Sequence, residues 1–427
     1  MTSARNMENG FPSDRRPTSR RDLLSMGTAA GVAAFWAPQA QAQVNAHGTD
    51  ITGLLHVQGF GAAGDGKTDD TAAFQKALDA AVQHGGGTVY TPPDRYLLKG
   101  ALNLRGDGTA LLVTAGRGVE HGEPFLTLNT NSTVVGLTVY YPEQIEDAEP
   151  LPYPWTIAMR GKNPAVVDVE LLNVYQGIDA SRNERHNIRN VTGQPLRRGI
   201  WVDAIYDIGR IENVHFDPWW SANKTLLNWQ MKNGEAFLFG RADWEYVLNT
   251  FCFGYRVGYK FVETETVSCN GNFLGIGADD CNRAILVEQS AAYGLLITNG
   301  EFTSFQGDDP TMVEVMAGNK GVVRMGNSAF WGPCNQIAKI AGTVGFSECT
   351  FVQWGKQPGR AAIQATGGNL LVQGCEFRQD KPHIDLSEAI GSGVIVGNLF
   401  AGAAQIEYPS RPTVQIGLNA ELTASRI

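Results

Sequence analysis

The feature that most restricts how this chain can fold is a short turn that returns within a narrow range of spacings. Eight segments end in phenylalanine close behind an amide or small residue: IENVHF to Phe216, LNTF to Phe251, NGNF to Phe273, NGEF to Phe302, GNSAF to Phe330, SECTF to Phe351, QGCEF to Phe377 and VGNLF to Phe400. From Phe251 onward the intervals are 22, 29, 28, 21, 26 and 23 residues. Three short strands and three turns need about that length, so each interval predicts one coil of a β-solenoid, with loops absorbing the variation. In such a coil the Phe stacks inward on the next rung, and the Asn or Gly just before it makes the turn. On this register Cys349 and Cys375 share one interior position, and no disulfide is expected there.

The rest of the chain agrees. Between about residue 100 and residue 215, β-rich bursts such as TVVGLTVYY, AVVDVELLNVYQGIDA and RGIWVDAIYDIGRIENVHF are separated by Asn and Gly, with no helical period between them. The acidic, proline-rich segment Pro142–Pro154 belongs outside any sheet. Residues 221–234, SANKTLLNWQMKNG, read as a short helix inserted between rungs. At 427 residues the chain has room for two or three ordinary domains. A solenoid grows by repetition, though, and needs no second core. One β-helix domain over 43–427 is therefore expected, with coils from about 100 to 420.

Ahead of the coils, Val57 to Leu98 reads VQGFGAAGDGKTDDTAAFQKALDAAVQHGGGTVYTPPDRYLL. A glycine-punctuated turn, Gly59 to Gly66, is followed by a helix whose N-terminus Asp69, Asp70 and Thr71 are placed to cap. Phe74, Ala77, Leu78 and Ala81 fall on one apolar face. Gly85-Gly86-Gly87 stops the helix, and a strand runs to Pro92-Pro93. The run FGAxGDGxTDDTxAxQxALDAA…GGGTVYxPP resembles the opening module of the pectate-lyase superfamily of right-handed parallel β-helices, in its rhamnogalacturonase/epimerase-like branch. Asp94 stands where that family usually has Gly. The resemblance implies an all-β, single-stranded right-handed parallel β-helix whose first helix caps the open end of the coil (residues 57–98), covering backbone groups that would otherwise invite aggregation. It implies little about activity, since this fold hosts hydrolases, lyases, epimerases and phage tailspikes.

The first 42 residues read separately. Ser19-Arg20-Arg21-Asp22-Leu23-Leu24 resembles a twin-arginine export signal, and Ala40-Gln41-Ala42 a cleavage site after a short apolar run. That run is too short to span a membrane. A periplasmic or secreted protein is expected. Removing residues 1–42 takes away five arginines and three acids, so the net charge goes from −9 to −9 − 2 = −11. So acidic a protein is a poor partner for nucleic acid. The six cysteines show no CxxC pair and no Cys/His metal spacing, and free buried thiols are expected.

For chemistry, the Phe register sets Asp279-Asp280 and Asp308-Asp309 six and seven residues after their Phe, on one turn line. Crowded carboxylates cannot all ionise cheaply, so one is raised and becomes a general acid, with its partner as base or nucleophile; ordinary Asp-rich turns would give the same spelling. Aromatics sit nearby: Trp219, Phe305 and Trp354 each follow their Phe by three residues, and Trp220 and Trp331 lie close. Asp217-Pro218-Trp219-Trp220 joins a carboxylate to two adjacent indoles. Arg241, Asp243, Trp244 and Glu245 repeat that mixture one coil later, and Asp203 and Asp207 lie on the preceding strand. The favoured site is a substrate cleft with Asp217 and Asp243 as catalytic carboxylates and Trp219, Trp220, Arg241, Trp244 and Asp203 as binding residues. Asp279 and Asp280 are its rivals.

Asp279-Asp280-Cys281 faintly resembles the Asp-Asp-Cys segment of polygalacturonases, but Asn-Thr-Asp, Gly-His-Gly and Arg-Ile-Lys are missing. The expected function is hydrolysis of a polysaccharide by a carboxylate pair, with no metal or cofactor. A lyase acting by β-elimination on uronates would instead use a cation, with Arg241 or Arg283 as base and calcium holding the uronate. A non-catalytic glycan-binding spike, homo-oligomeric or not, is the third reading, and the export signal argues against a phage tailspike.

Overall fold

A computed structural model describes residues 54–83, 88–100 and 109–422. The expected export signal over residues 1–42 lies outside them, as does the Gly85–Gly87 helix stop. The rest is a right-handed parallel β-solenoid of about 14 turns. Strand pairing is parallel from Asp65↔Arg95 at one end to Phe400↔Glu421 at the other. One face is a sheet of 12 strands stacked in chain order, from Leu126–Leu128 to Ile406–Glu407. The other two faces meet at a corner that some strands run through. In Arg210–Phe216, residues Arg210–Glu212 pair with Tyr246–Leu248, while His215–Phe216 pair with Phe251–Cys252.

The corner residue sets the register of each coil. Asn213, Asn249, Asn299 and Asn327 all have φ between 44° and 56°, and Gly275, Gly374 and Gly397 take the same place with φ of 65°, 63° and 68°. Only Gly and, at modest cost, Asn visit this left-handed region readily; the eighth corner, three residues before Phe351, is Glu348 at φ 55°. The asparagines also stack: Asn249 Nδ2 donates to Asn213 Oδ1 at 3.3 Å, and Asn327 Nδ2 to Asn299 Oδ1 at 2.8 Å.

Three residues past each corner the side chain points inward, and these positions form the interior ladder Phe216, Cys252, Ala278, Phe302, Phe330, Phe351, Phe377, Phe400. All are essentially fully buried, and neighbouring rings sit 4.7–5.4 Å apart from Phe302 to Phe400. Burying each Phe contributes about 1.5–3 kcal/mol. Six of the eight Phe positions expected from the sequence lie on this ladder. Phe273 belongs to the neighbouring one, paired with Val247 and Ile297, and Phe251 points outward beside His215. Each coil is counted from its corner residue, so an aromatic one or two positions away from the right count lands on another ladder or on the other side of the sheet.

All six cysteines are buried thiols. Cys349 and Cys375 stack as expected, with the Cys349 N–H directed at Cys375 Sγ at 3.5 Å.

At the N-terminal end, helix α1 spans Thr71–Gln83. Its Phe74 is fully buried, edge-on to Tyr96 at 5.1 Å between ring centroids. Asp69 Oδ1 accepts from the Thr71 N–H at 3.1 Å, but Asp70 does not cap the helix with its side chain. Its carboxylate turns back to accept from the N–H groups of Ala63 at 2.6 Å and Gly64 at 3.2 Å, tying the glycine turn to the start of the helix. The inserted helix, α2, spans Lys224–Asn233, and Asn223 Oδ1 caps it by accepting from the Thr225 N–H at 2.9 Å.

Candidate functional site

Outward-facing residues just past the Asn/Gly corner build a groove of about 440 Å³. Its lining includes Asn249, Phe251, Gly275, Gly277, Asp279, Asn299, Glu301, Thr303 and Trp331. Strands Phe251–Phe253, Gly277–Asp279 and Glu301–Phe302 lie side by side, so Phe251, Gly277 and Glu301 form one outward row. Glycine in the middle of that row lets the Phe251 ring lean over it: a Cβ on Gly277 would meet that ring at 2.9 Å. One wall is the Phe251 ring. The other is Trp331, whose indole Nε1–H donates to Glu301 Oε1 at 2.8 Å.

Asp279 stands at the lip. The Thr303 hydroxyl donates to its Oδ1 while accepting from the Asp280 N–H at 3.0 Å, which fixes the carboxylate's direction. One residue past the end of Arg210–Phe216 comes Asp217, half-buried. Burial pushes its carboxyl up and the charge of Asp279 pushes it further, while His215 works against both. His215 Nε2 lies 3.5 Å from Asp217 Oδ2, is itself buried, and makes no hydrogen bond. The His215 ring packs between Trp219 at 4.7 Å and Phe251 at 4.8 Å. The segment carrying Trp219 and Trp220 is held in place by the buried Gln194, whose amide brackets Ser221: Oε1 accepts from its N–H at 2.9 Å and Nε2 donates to its carbonyl at 3.0 Å. Trp219 is about half exposed and Trp220 is partly buried.

The expected pairing of acidic turns does not occur. Asp279 stacks on Thr303, and Asp309 lies apart, accepting from Asn335 Nδ2 at 3.0 Å and paired to Lys339. The cause is the register correction above: counted from the corner, Asp279 and Thr303 are equivalent and Asp308-Asp309 belong to the next turn. Asp280, next to Asp279, is not part of the groove's lining. Burial raises its carboxyl, and Gln306 Nε2 donates to it at 2.6 Å.

The expected cleft also divides. Asp203, Arg241, Asp243 and Trp244 lie at the opposite end of Arg210–Phe216 from Asp217, around the bridge between Ile205 and Ala242. Asp203 Oδ1 accepts from the Arg241 N–H at 2.8 Å and from the hydroxyls of Thr264 and Thr266 at 2.9 and 2.8 Å. The Arg241 guanidinium binds Asp243 through two bonds, of 3.2 and 2.9 Å, and covers the Tyr206 ring at 4.3 Å. Trp244 is exposed at φ 66°. Asp217 therefore joins Asp279, whereas Asp243 and Asp203 are anchors of a different turn. Of the two cations considered for a lyase, Arg241 is committed to Asp243 and Arg283 to Glu314. His215 and Glu301 escaped the sequence reading. Reading outward residues on either side of each inward position three past the corner would have found them.

The N-terminal resemblance holds: residues 54–143 match the family model described as Rhamnogalacturonase A/epimerase, pectate lyase-like. Over 45 residues, a tenth of this chain, it is 60% identical to "Alginate lyase 7" of Azotobacter vinelandii, and over 81 residues, 19% of the chain, 41% identical to "Mannuronan C5-epimerase AlgE5" of the same organism. The chain spans only 5% and 6% of the lengths of these two relatives. Among solved structures, the N-terminal fragment of bacteriophage Phi29 gene product 12 superposes with a TM-score of 0.63 at 14% identity, covering 86% of this chain and 70% of that one, a likeness of fold. The family match ends before the first residue of the groove's lining, Asn249.

Proposed function

We propose that the protein hydrolyses glycosidic bonds of a polysaccharide in this groove, with Asp217 as general acid and Asp279 as the carboxylate that activates water. The observation that carries the reading is a carboxyl raised chiefly by burial, two rungs from a second carboxylate that lines an aromatic-walled groove. The glycosidic oxygen takes the Asp217 proton as its bond to the anomeric carbon breaks. Asp279 accepts a proton from the water whose oxygen attacks that carbon. Asp217 lies two rungs from Asp279, across the Phe253 strand. At about 4.8 Å per rung this is about 10 Å between backbones. Such a spacing suits the gap of about 6.5–9.5 Å between carboxyls of inverting enzymes rather than the 5–5.5 Å of retaining ones. Trp219, Phe251 and Trp331 offer apolar faces for the C–H surfaces of sugar rings.

The lengths identical to alginate-acting enzymes support a polysaccharide substrate but cover little of either relative. Elimination on uronates needs a cation at the reacting carboxylate, and among the described residues no Lys or Arg lines the groove. Nor is any group of three or more His, Cys, Asp or Glu among the described residues placed to hold a calcium ion for a uronate. The protein is further proposed to act outside the cytoplasm, on the strength of Arg20-Arg21 ahead of Ala40-Gln41-Ala42.

The test is a panel of plant, algal and bacterial polysaccharides. New reducing ends without ultraviolet absorbance support hydrolysis, and inversion at the anomeric carbon by NMR supports the spacing. An unsaturated uronate chromophore refutes the mechanism.

A further inference from the structure

The hydrogen-bonding chemistry of the groove also restricts which sugar it holds, if the groove is the substrate site just proposed. Asp279 and Glu301 each commit one oxygen to the protein, Oδ1 to the Thr303 hydroxyl and Oε1 to the Trp331 indole. Both residues line the groove, and their second oxygens, Asp279 Oδ2 and Glu301 Oε2, take no donor from the described residues; carboxylate oxygens of this kind offer a ligand acceptors and no donor. Sugar hydroxyls donate; a uronate carboxylate cannot. A uronate placed here would bring acceptor against acceptor and negative charge against negative charge. His215 Nε2 lies 3.5 Å from Asp217 Oδ2, on the far side of Phe251 from that lining.

We infer that the sugar held between Phe251 and Trp331 is uncharged, so that the substrate is a neutral glycan rather than a polyuronate, and that the Glu301–Trp331 pair enforces this choice. Trp331 supplies the stacking face, and Glu301 both fixes the indole and repels a carboxylate.

Binding by the full-length protein is measured calorimetrically with neutral cello-, xylo- and manno-oligosaccharides and with oligogalacturonates and oligomannuronates of matched length. At least one neutral series binds, at least about tenfold more tightly than either uronate, and Trp331→Ala weakens it by about tenfold. Glu301→Gln keeps an acceptor for the indole and removes the charge, so it narrows the gap between neutral and uronate ligands several-fold while melting like wild type. Tighter binding of a uronate than of every neutral series, with sensitivity to Trp331→Ala, overturns the inference, as does the absence of binding by all neutral series. Reducing ends released from a polyuronate and lost in Asp279→Asn would overturn it while leaving hydrolysis intact. Neutral binding with no turnover on any polysaccharide would do the opposite.

Discussion

Two turns of the solenoid, at opposite ends of the strand Arg210–Phe216, carry almost the same residue types. At one, Asp203, Arg241, Asp243 and Trp244 gather; at the other, His215, Asp217 and Trp219 stand two rungs from Asp279. In the first, every carboxylate has partners: Asp203 accepts three hydrogen bonds and Asp243 holds Arg241 through two. In the second, Asp217 has only His215 at 3.5 Å, and its proton is held more tightly than usual by burial and by Asp279. A satisfied carboxylate holds a turn in place, and an unsatisfied one keeps its chemistry available for a ligand. Composition does not distinguish the two turns. Pairing does.

The contrast sharpens most at Asp217. A general acid works only while protonated, so turnover should fall as pH rises through the raised Asp217 value. Asp217→Asn should lose about 10²-fold or more in kcat and lose that alkaline limb, read from kcat across a pH series. An unchanged limb would move the acid elsewhere. Next in size, Asp203→Ala should cost about 1–3 kcal/mol of stability, because it strands three donors, yet leave kcat near wild type; thermal melting and turnover on one preparation check both. The smallest effect separates the two exposed indoles. Trp219→Ala should raise KM by the loss of a stacking face, about 0.5–1.5 kcal/mol, with little change in kcat, whereas Trp244→Ala should change neither. Equal effects at both tryptophans would erase the distinction.

Much of the fold could be read from local signals. The Asn and Gly turns, the run of Phe and the amphipathic stretch Thr71–Gln83 each follow from what one residue permits its own backbone or face. The site was legible only in pieces. Asp217, Asp279 and Trp219 carry visible chemistry, but which of them meet depends on a register that one miscounted aromatic, Phe273, displaces. His215 and Glu301 look like ordinary strand residues until the coil is counted from Asn213 and Asn299. The Arg241–Asp243 bond was hidden for a different reason: a charged pair two residues apart reads equally as a catalytic mixture or as a salt bridge, and only the geometry of the turn decides.

The most direct measurement sets Asp279→Asn against Asp243→Asn, two isosteric changes at the two turns, on whichever polysaccharide the panel identifies. After equal melting temperatures have been confirmed, initial rates of reducing-end release should fall by about 10²-fold or more in Asp279→Asn and stay within about twofold of wild type in Asp243→Asn. Loss of turnover in Asp243→Asn with Asp279→Asn active would place the chemistry at the other turn and contradict the account.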